Sequence, residues 1–143
     1  MSLQTEYDTK NIFAKILSGE IPCAKVYEDA RILSFMDAFP QSKGHTLVIP
    51  KVKAVNIFDI TSEKLQNLIH HTQRISRAIH ASLEPEGLHI MQLNGAAAGQ
   101  TVFHIHFHII PCWTDMSLKS HATGKMADLA ELNDTAARIR AKL

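Results

Sequence analysis

A chain of 143 residues suits one domain and leaves little room for two. Its 45% hydrophobic and 20% charged content is that of an ordinary globular protein, so disorder is expected only at the ends, chiefly over residues 1–10. Fifteen basic residues against fourteen acidic ones leave a formal charge of +1, without the electrostatic footprint of a general nucleic-acid or membrane binder. No run approaches the ~20 apolar residues of a membrane span, and no signal-peptide-like run opens the chain. Cys23 and Cys112 are far apart and form no paired ligand motif, which points to two reduced thiols in a cytoplasmic protein.

In chain order, Ile12 to Leu17 reads as a short helix ended by Ser18-Gly19. Ala24 to Tyr27 and Ile32 to Met36 read as strands around the polar turn Glu28-Asp29-Ala30-Arg31. A loop from Ala38 to Gly44 leads to a β-branched strand, His45 to Ile49, stopped by Pro50. From Ser62 to Leu83 the apolar positions Leu65, Leu68, Ile69, Ile75, Ile79 and Leu83 keep helical spacing. Thr61 or Ser62 can cap that helix, Glu63 suits its dipole and Pro85 closes it. Two more strands are expected, Leu88 to Asn94 and Val102 to Ile110, joined by a loop with Gly95 and Gly99. Leu129, Leu132, Ala136 and Ile139 suggest a last helix. Its basic residues Lys125, Arg138, Arg140 and Lys142, with Lys119 before it, are interrupted by Asp128, Glu131 and Asp134, as on a solvated helix face. The fold class is therefore α+β: a mostly antiparallel sheet with one long central helix, a short N-terminal helix and a C-terminal helix. Residues 11–143 are expected to form one domain, with a core over 11–113 and a tail over 114–143.

Three of the nine histidines fall in one short run. Between Phe103 and Ile110, the residues Phe103, Ile105, Phe107 and Ile109 alternate with His104, His106 and His108. In a strand the apolar set would pack on the core and the three imidazoles would project together from the other face. Three satisfied core histidines in strict alternation would each need a buried partner, so a site is the stronger reading. Two chemistries could use the row. A single zinc ion binds nitrogen at ~2.0–2.1 Å, whereas His104 and His108 would lie roughly 13 Å apart along a strand. No carboxylate or thiolate flanks the row to complete a ligand set. Nucleophilic attack on phosphorus fits better, because neutral imidazole is abundant at pH 7 and attacks without a separate base. The Gly95–Gly99 loop could offer backbone N–H groups to an anion.

The segment His104-Ile105-His106-Phe107-His108-Ile109-Ile110 resembles the motif of the histidine-triad family. The likeness extends to Ile12-Phe13-Ala14-Lys15-Ile16, to Gly44-His45-Thr46-Leu47-Val48-Ile49-Pro50-Lys51 and to Ala98-Gly99-Gln100-Thr101-Val102, covering about residues 11 to 113. The resemblance implies a hydrolase in which His106 attacks the α-phosphate of a purine nucleotide conjugate and water then releases the nucleotidyl group. It implies that the strand at His104 orients the His106 ring, that His108 contacts phosphate and leaving group, and that His45 supports the cluster. Gln100 and Thr101, with Gly99 beside them, align with loop positions near the phosphate, and Asn94 with a polar contact near the nucleotide. Phe13, Ile16 and Phe35 would hold the base, and Asp37 would accept from the ribose hydroxyls. No cofactor is implied, and a homodimer built around the helix at 62–83 is. Some bacterial relatives hold structural zinc through two cysteines three apart at the front helix; here those positions are Asn11 and Ala14, so no metal is expected. Two rival readings stay open: a dinucleoside polyphosphate hydrolase of the same superfamily, and a non-catalytic nucleotide-binding module. A relay of His108 and the Thr101 hydroxyl, with no Arg or Lys between Leu88 and Trp113, favours an amine leaving group over a polyphosphate.

Overall fold

The structure, a computed structural model, describes residues 3–118 and 125–143. Its elements follow the chain as α1 (Ile12–Leu17), β1 (Lys25–Glu28), β2 (Ile32–Met36), β3 (Thr46–Pro50), α2 (Ser62–Leu83), β4 (Gly87–Met91), β5 (Phe107–Cys112) and α3 (Leu129–Arg140). The five strands form one antiparallel sheet in the order β1-β2-β3-β5-β4. The α+β class expected from the sequence is the class found.

Local chemistry explains the helix ends. The Asn11 side chain accepts from the Ala14 amide and opens α1. Thr61 does the same for α2 by accepting from the Lys64 amide, and Glu63 sits in the first turn where the dipole favours an anion. At the far end of α2 the chain turns at Glu84, which takes the left-handed conformation (φ 52°) directly before Pro85.

The sheet is covered on both faces, so β2 and β3 are buried along their whole length. Alternate residues serve two cores. Val26, Ile32, Met36, Val48 and Ile109 pack toward Leu68, Ile75 and Ile79 of α2 and Ala136 and Ile139 of α3. Leu33, Phe35, Leu47 and Ile49 pack on the opposite side with Phe13 of α1. That second, thinner face carries the site. The C-terminal helix is not a loose tail. It packs on α2, Arg138 donates to the Ser82 carbonyl at 3.3 Å, and Arg140 donates to the Lys25 carbonyl at 2.6 Å. Lys119 lies outside the described residues.

Two expectations are corrected. The histidine strand begins at Phe107 and not at Val102, leaving His104, Ile105 and His106 in irregular backbone ahead of the ladder. The partner explains this: β5 pairs Phe107, His108 and Ile109 with Val48, Leu47 and Thr46, after which β3 runs out at Pro50, which has no N–H to offer. The Ile105 amide finds the Ala54 carbonyl instead, at 2.8 Å. Likewise β4 ends at Met91, short of Asn94, because the Leu93–Gly99 stretch turns into a short 3₁₀ segment at Ala96–Ala98. Ahead of α1, two contacts tie the polar front of the chain to the rest of the molecule. The Asn56 side-chain amide donates to the Leu3 carbonyl at 2.7 Å, and the Tyr7 hydroxyl lies 2.6 Å from His104 Nδ1.

Candidate functional site

Because the triad does not lie in one regular strand, its three side chains part company. His106 and His108 line a cavity of about 510 Å3 on the α1 side of the sheet, with their rings 4.8 Å apart and edge-on. His104 turns away from it, toward the Pro50 carbonyl (2.8 Å from Nε2) and Tyr7. All three are buried, as is His45.

The remaining wall is mostly apolar. Ile12, Phe13, Ile16, Phe35 and Leu47 surround the cavity, with Phe13 edge-on to Phe35 at 5.5 Å and to His106 at 4.9 Å. Asp37 and the exposed Thr101 add polar atoms at its rim. A cavity of this size and character suits a small organic ligand with one polar end. Of the residues singled out in the sequence, Phe13, Ile16, Phe35, Asp37, Thr101, His106 and His108 are brought together here. Asn94, Gly99 and Gln100 are not. Gln100 is buried, with its amide donating to the Val55 and Val102 carbonyls and its oxygen accepting from the Gly95 amide. The Asn94 oxygen accepts from the Ile57 amide, and Asn94 also pairs with the Gln92 side chain. The amides of Ala98, Gly99 and Gln100 donate within the loop, so the expected backbone cradle for an anion does not form from them. The loop's chemistry is scaffolding, and it serves to carry Thr101 to the rim.

Hydrogen bonds to backbone atoms fix the histidine tautomers, because a carbonyl only accepts and an amide N–H only donates. His106 Nδ1 lies 2.7 Å from the His104 carbonyl, so Nδ1 carries the proton and Nε2 the lone pair in the neutral ring. The Gln41 amide donates to His45 Nδ1 at 3.0 Å, so the proton of a neutral His45 is on Nε2. That Nε2–H donates to His108 Nδ1 at 2.9 Å, which leaves the proton of a neutral His108 on Nε2. One imidazole therefore presents a lone pair and its neighbour a proton. His45 makes no wall of the cavity and touches it through its bond to His108.

Asp37 lies behind this chain, with one oxygen accepting from the Phe39 amide at 2.8 Å and the other 3.4 Å from His45 Nε2. Burial pushes its pKa from 3.8 up to about 6, opposed by the Phe39 amide. Asp37, His45 and His108 have donor atoms close enough together to hold a metal ion. The tautomer argues against it, because a neutral His45 accepting from the Gln41 amide has no lone pair left on Nε2.

Sequence reasoning missed the outer wall. Met126, Ala127, Leu129 and Leu132 line the cavity, and the Ala127 amide donates to the Ala38 carbonyl at 2.8 Å. No motif signals this, since these are ordinary small and apolar residues placed by the docking of α3. A second, more polar groove shares Met36, Met126, Ala127 and Leu132 with the cavity and gathers Lys43, Lys125 and Arg138 around His45.

Comparison with known proteins gives one family. The HIT domain matches residues 18–114. Protein hit of Bacillus subtilis is 50% identical over 100 residues, 70% of this chain and 69% of its own length. Adenosine 5'-monophosphoramidase hnt1 of Schizosaccharomyces pombe is 43% identical over 100 residues, 70% of this chain and 72% of its own. Among solved structures, a Hit-like protein from Bartonella henselae superimposes with a TM-score of 0.88 at 42% identity, covering 96% of this chain and 99% of that one. A zinc-bound histidine triad family protein from Mycobacterium smegmatis gives 0.82 at 35% identity, covering 94% and 93%.

Proposed function

Because the chain belongs to the HIT domain family, we propose that it hydrolyses purine nucleoside phosphate conjugates, with His106 as a covalent nucleophile at the α-phosphate. One observation carries this reading: the His104 carbonyl holds His106 Nδ1–H at 2.7 Å, so a neutral His106 keeps its Nε2 lone pair for attack. His106 Nε2 bonds to phosphorus as the bond to the leaving amine breaks. The departing nitrogen takes a proton from the imidazolium form of His108, directly or through the Thr101 hydroxyl, and the neutral ring left behind accepts at Nδ1 from His45 Nε2–H. Water then cleaves the nucleotidyl–His106 bond and yields the nucleoside monophosphate. Phe13, Ile16 and Phe35 enclose the base, and Asp37 accepts from the ribose hydroxyls. None of these steps requires a metal or cofactor.

The relative named adenosine 5'-monophosphoramidase supports the amine leaving group. A second reading, a dinucleoside polyphosphate hydrolase, has one observation in its favour: the fold gathers Lys43, Lys125 and Arg138 beside the cavity, although no cation lies near the triad in sequence. We expect adenosine phosphoramidates to show a kcat/KM at least about tenfold above diadenosine polyphosphates, or roughly 1.4 kcal/mol in transition-state binding. Equal or reversed preference in side-by-side assays would transfer the protein to the second reading with His106 still the nucleophile. Near-normal turnover by His106→Asn would remove the nucleophile itself.

The working unit we propose is a cytoplasmic homodimer. β4 is an edge strand whose Ile90 is exposed, and Ile69 of α2 is exposed as well, as expected of surfaces that a second copy would cover.

A further inference from the structure

The residues at the front of this chain do not fit the zinc ion that some members of the family hold there. Ala14 has no donor atom. The Asn11 oxygen accepts from the Ala14 amide at 2.9 Å and its amide donates to the Asp8 carbonyl at 2.7 Å. His104 has both nitrogens engaged, Nε2 by the Pro50 carbonyl and Nδ1 by the Tyr7 hydroxyl at 2.6 Å. Since a carbonyl only accepts, His104 carries its proton on Nε2, and the Nδ1 lone pair takes the Tyr7 O–H. Burial holds His104 below the ordinary histidine pKa, which keeps the ring neutral and that lone pair available. The lone pair on which a metal would act is thus taken by a phenol.

The geometry around Tyr7 shows a built contact. The Asn11 side chain lies near the same hydroxyl, on the side of α1. The Tyr7 ring meets the His104 ring edge-on at 5.6 Å, and Phe13 touches both His104 (6.3 Å) and His106 (4.9 Å). Upstream, Leu3 is tied by its carbonyl to Asn56, and its side chain lies against Gly95. The segment crosses from the loop before the triad to the start of α1 and presents one hydroxyl on the way.

We propose that Tyr7 is a positioning residue for the active site: its hydroxyl, in place of a metal ion, locks the His104 ring, and with it the His104 carbonyl that orients His106. The inference rests on His106 being the nucleophile. His104 stands in irregular backbone ahead of the ladder: its following peptide is tied by the Ile105 amide to the Ala54 carbonyl at 2.8 Å, and its ring by Pro50 and Tyr7, so the Tyr7 hydroxyl is one of the ties that set its position. Without the hydroxyl a buried lone pair loses its donor, the ring tilts about its remaining bond to the Pro50 carbonyl, and the backbone at His104 shifts relative to His106 Nδ1. Misorientation of a nucleophile lowers the rate of the chemical step and leaves substrate binding nearly intact.

Tyr7→Phe, which keeps the ring and its edge contact, is the test, made in the full chain. Single-turnover hydrolysis of an adenosine phosphoramidate should slow about tenfold, with KM within about twofold. In 15N spectra of the histidine side chains, the His104 Nδ1 signal should move toward that of a pyridine-type nitrogen without a hydrogen bond, and the Nδ1–H signal of His106 should broaden. An unmoved His104 signal overturns the proposal. So does a Tyr7→Phe variant as fast as wild type while His106→Asn is inert, an outcome that spares the nucleophile. Stoichiometric zinc in the wild-type protein by native mass spectrometry overturns it too. Should wild type turn over no nucleotide conjugate, the proposed function falls, and the spectra alone decide whether Tyr7 holds the His104 ring and, through it, the contact to His106.

Discussion

At the scale of single residues, backbone atoms decide what the histidines present. A carbonyl places the proton of a neutral His106 on Nδ1, and an amide, acting through His45, places that of a neutral His108 on Nε2. The expected result of His106→Asn is turnover below detection with AMP affinity retained in calorimetry, because the proposed base and ribose contacts lie elsewhere. Asp37 gives a separate, pH-dependent handle. Its pKa of about 6 lies above the ordinary 3.8, so the fold favours the protonated form. The stability it contributes is present at low pH and lost as pH rises through about 6. Asp37→Asn should therefore be more stable than wild type near pH 8, by roughly 2–3 kcal/mol at most, with the difference vanishing below about pH 4 in urea titrations. Substrate binding runs the opposite way. In the proposed binding mode only the carboxylate accepts from both ribose hydroxyls, so KM should rise as pH falls below about 6, and Asp37→Asn should flatten that dependence.

Among elements, the β2–β3 connection shows how tightly the site is tied to the helical core. Gly44 takes φ +92°, and a Cβ there would run into the Leu83 side chain at the end of α2 and lie 3.1 Å from Pro111. Next to it, the Ser42 hydroxyl donates to the Pro111 carbonyl at 2.6 Å, and the Gln41 amide sets the His45 tautomer. Gly44→Ala should cost about 1–3 kcal/mol in urea unfolding, from backbone strain and the displaced leucine together. Because the same loop holds His45, activity in the folded fraction should fall as well. The spacing of apolar residues made α1, β2 and α2 legible in sequence, since each is an amphipathic or fully buried run with its own cap or stop. It overextended β5, because alternation describes a face and says nothing about whether a partner strand is there to pair with.

At the scale of the whole molecule, the docking of α3 completes the cavity with Met126 and Leu132, a wall that no local pattern marks. Dialysis against a strong chelator should leave both the melting temperature and phosphoramidate turnover unchanged, because the front of the chain closes through Tyr7 and Asn11 and has no thiolate pair. Loss of folding on chelation would contradict that. What the sequence determined by itself was the composition of the site: three alternating histidines, an aromatic front helix and an Asp ahead of a His-bearing strand are dense, specific chemistry that survives without coordinates. What only the tertiary structure decided was which way each group points and what holds it. His104 leaves its companions because β3 ends at Pro50, Gln100 turns inward to brace a loop, and Lys43, Lys125 and Arg138 meet from distant positions. The physical reason is that tautomers, cavity walls and charge clusters depend on contacts between residues far apart in the chain, and such contacts leave no periodicity to read.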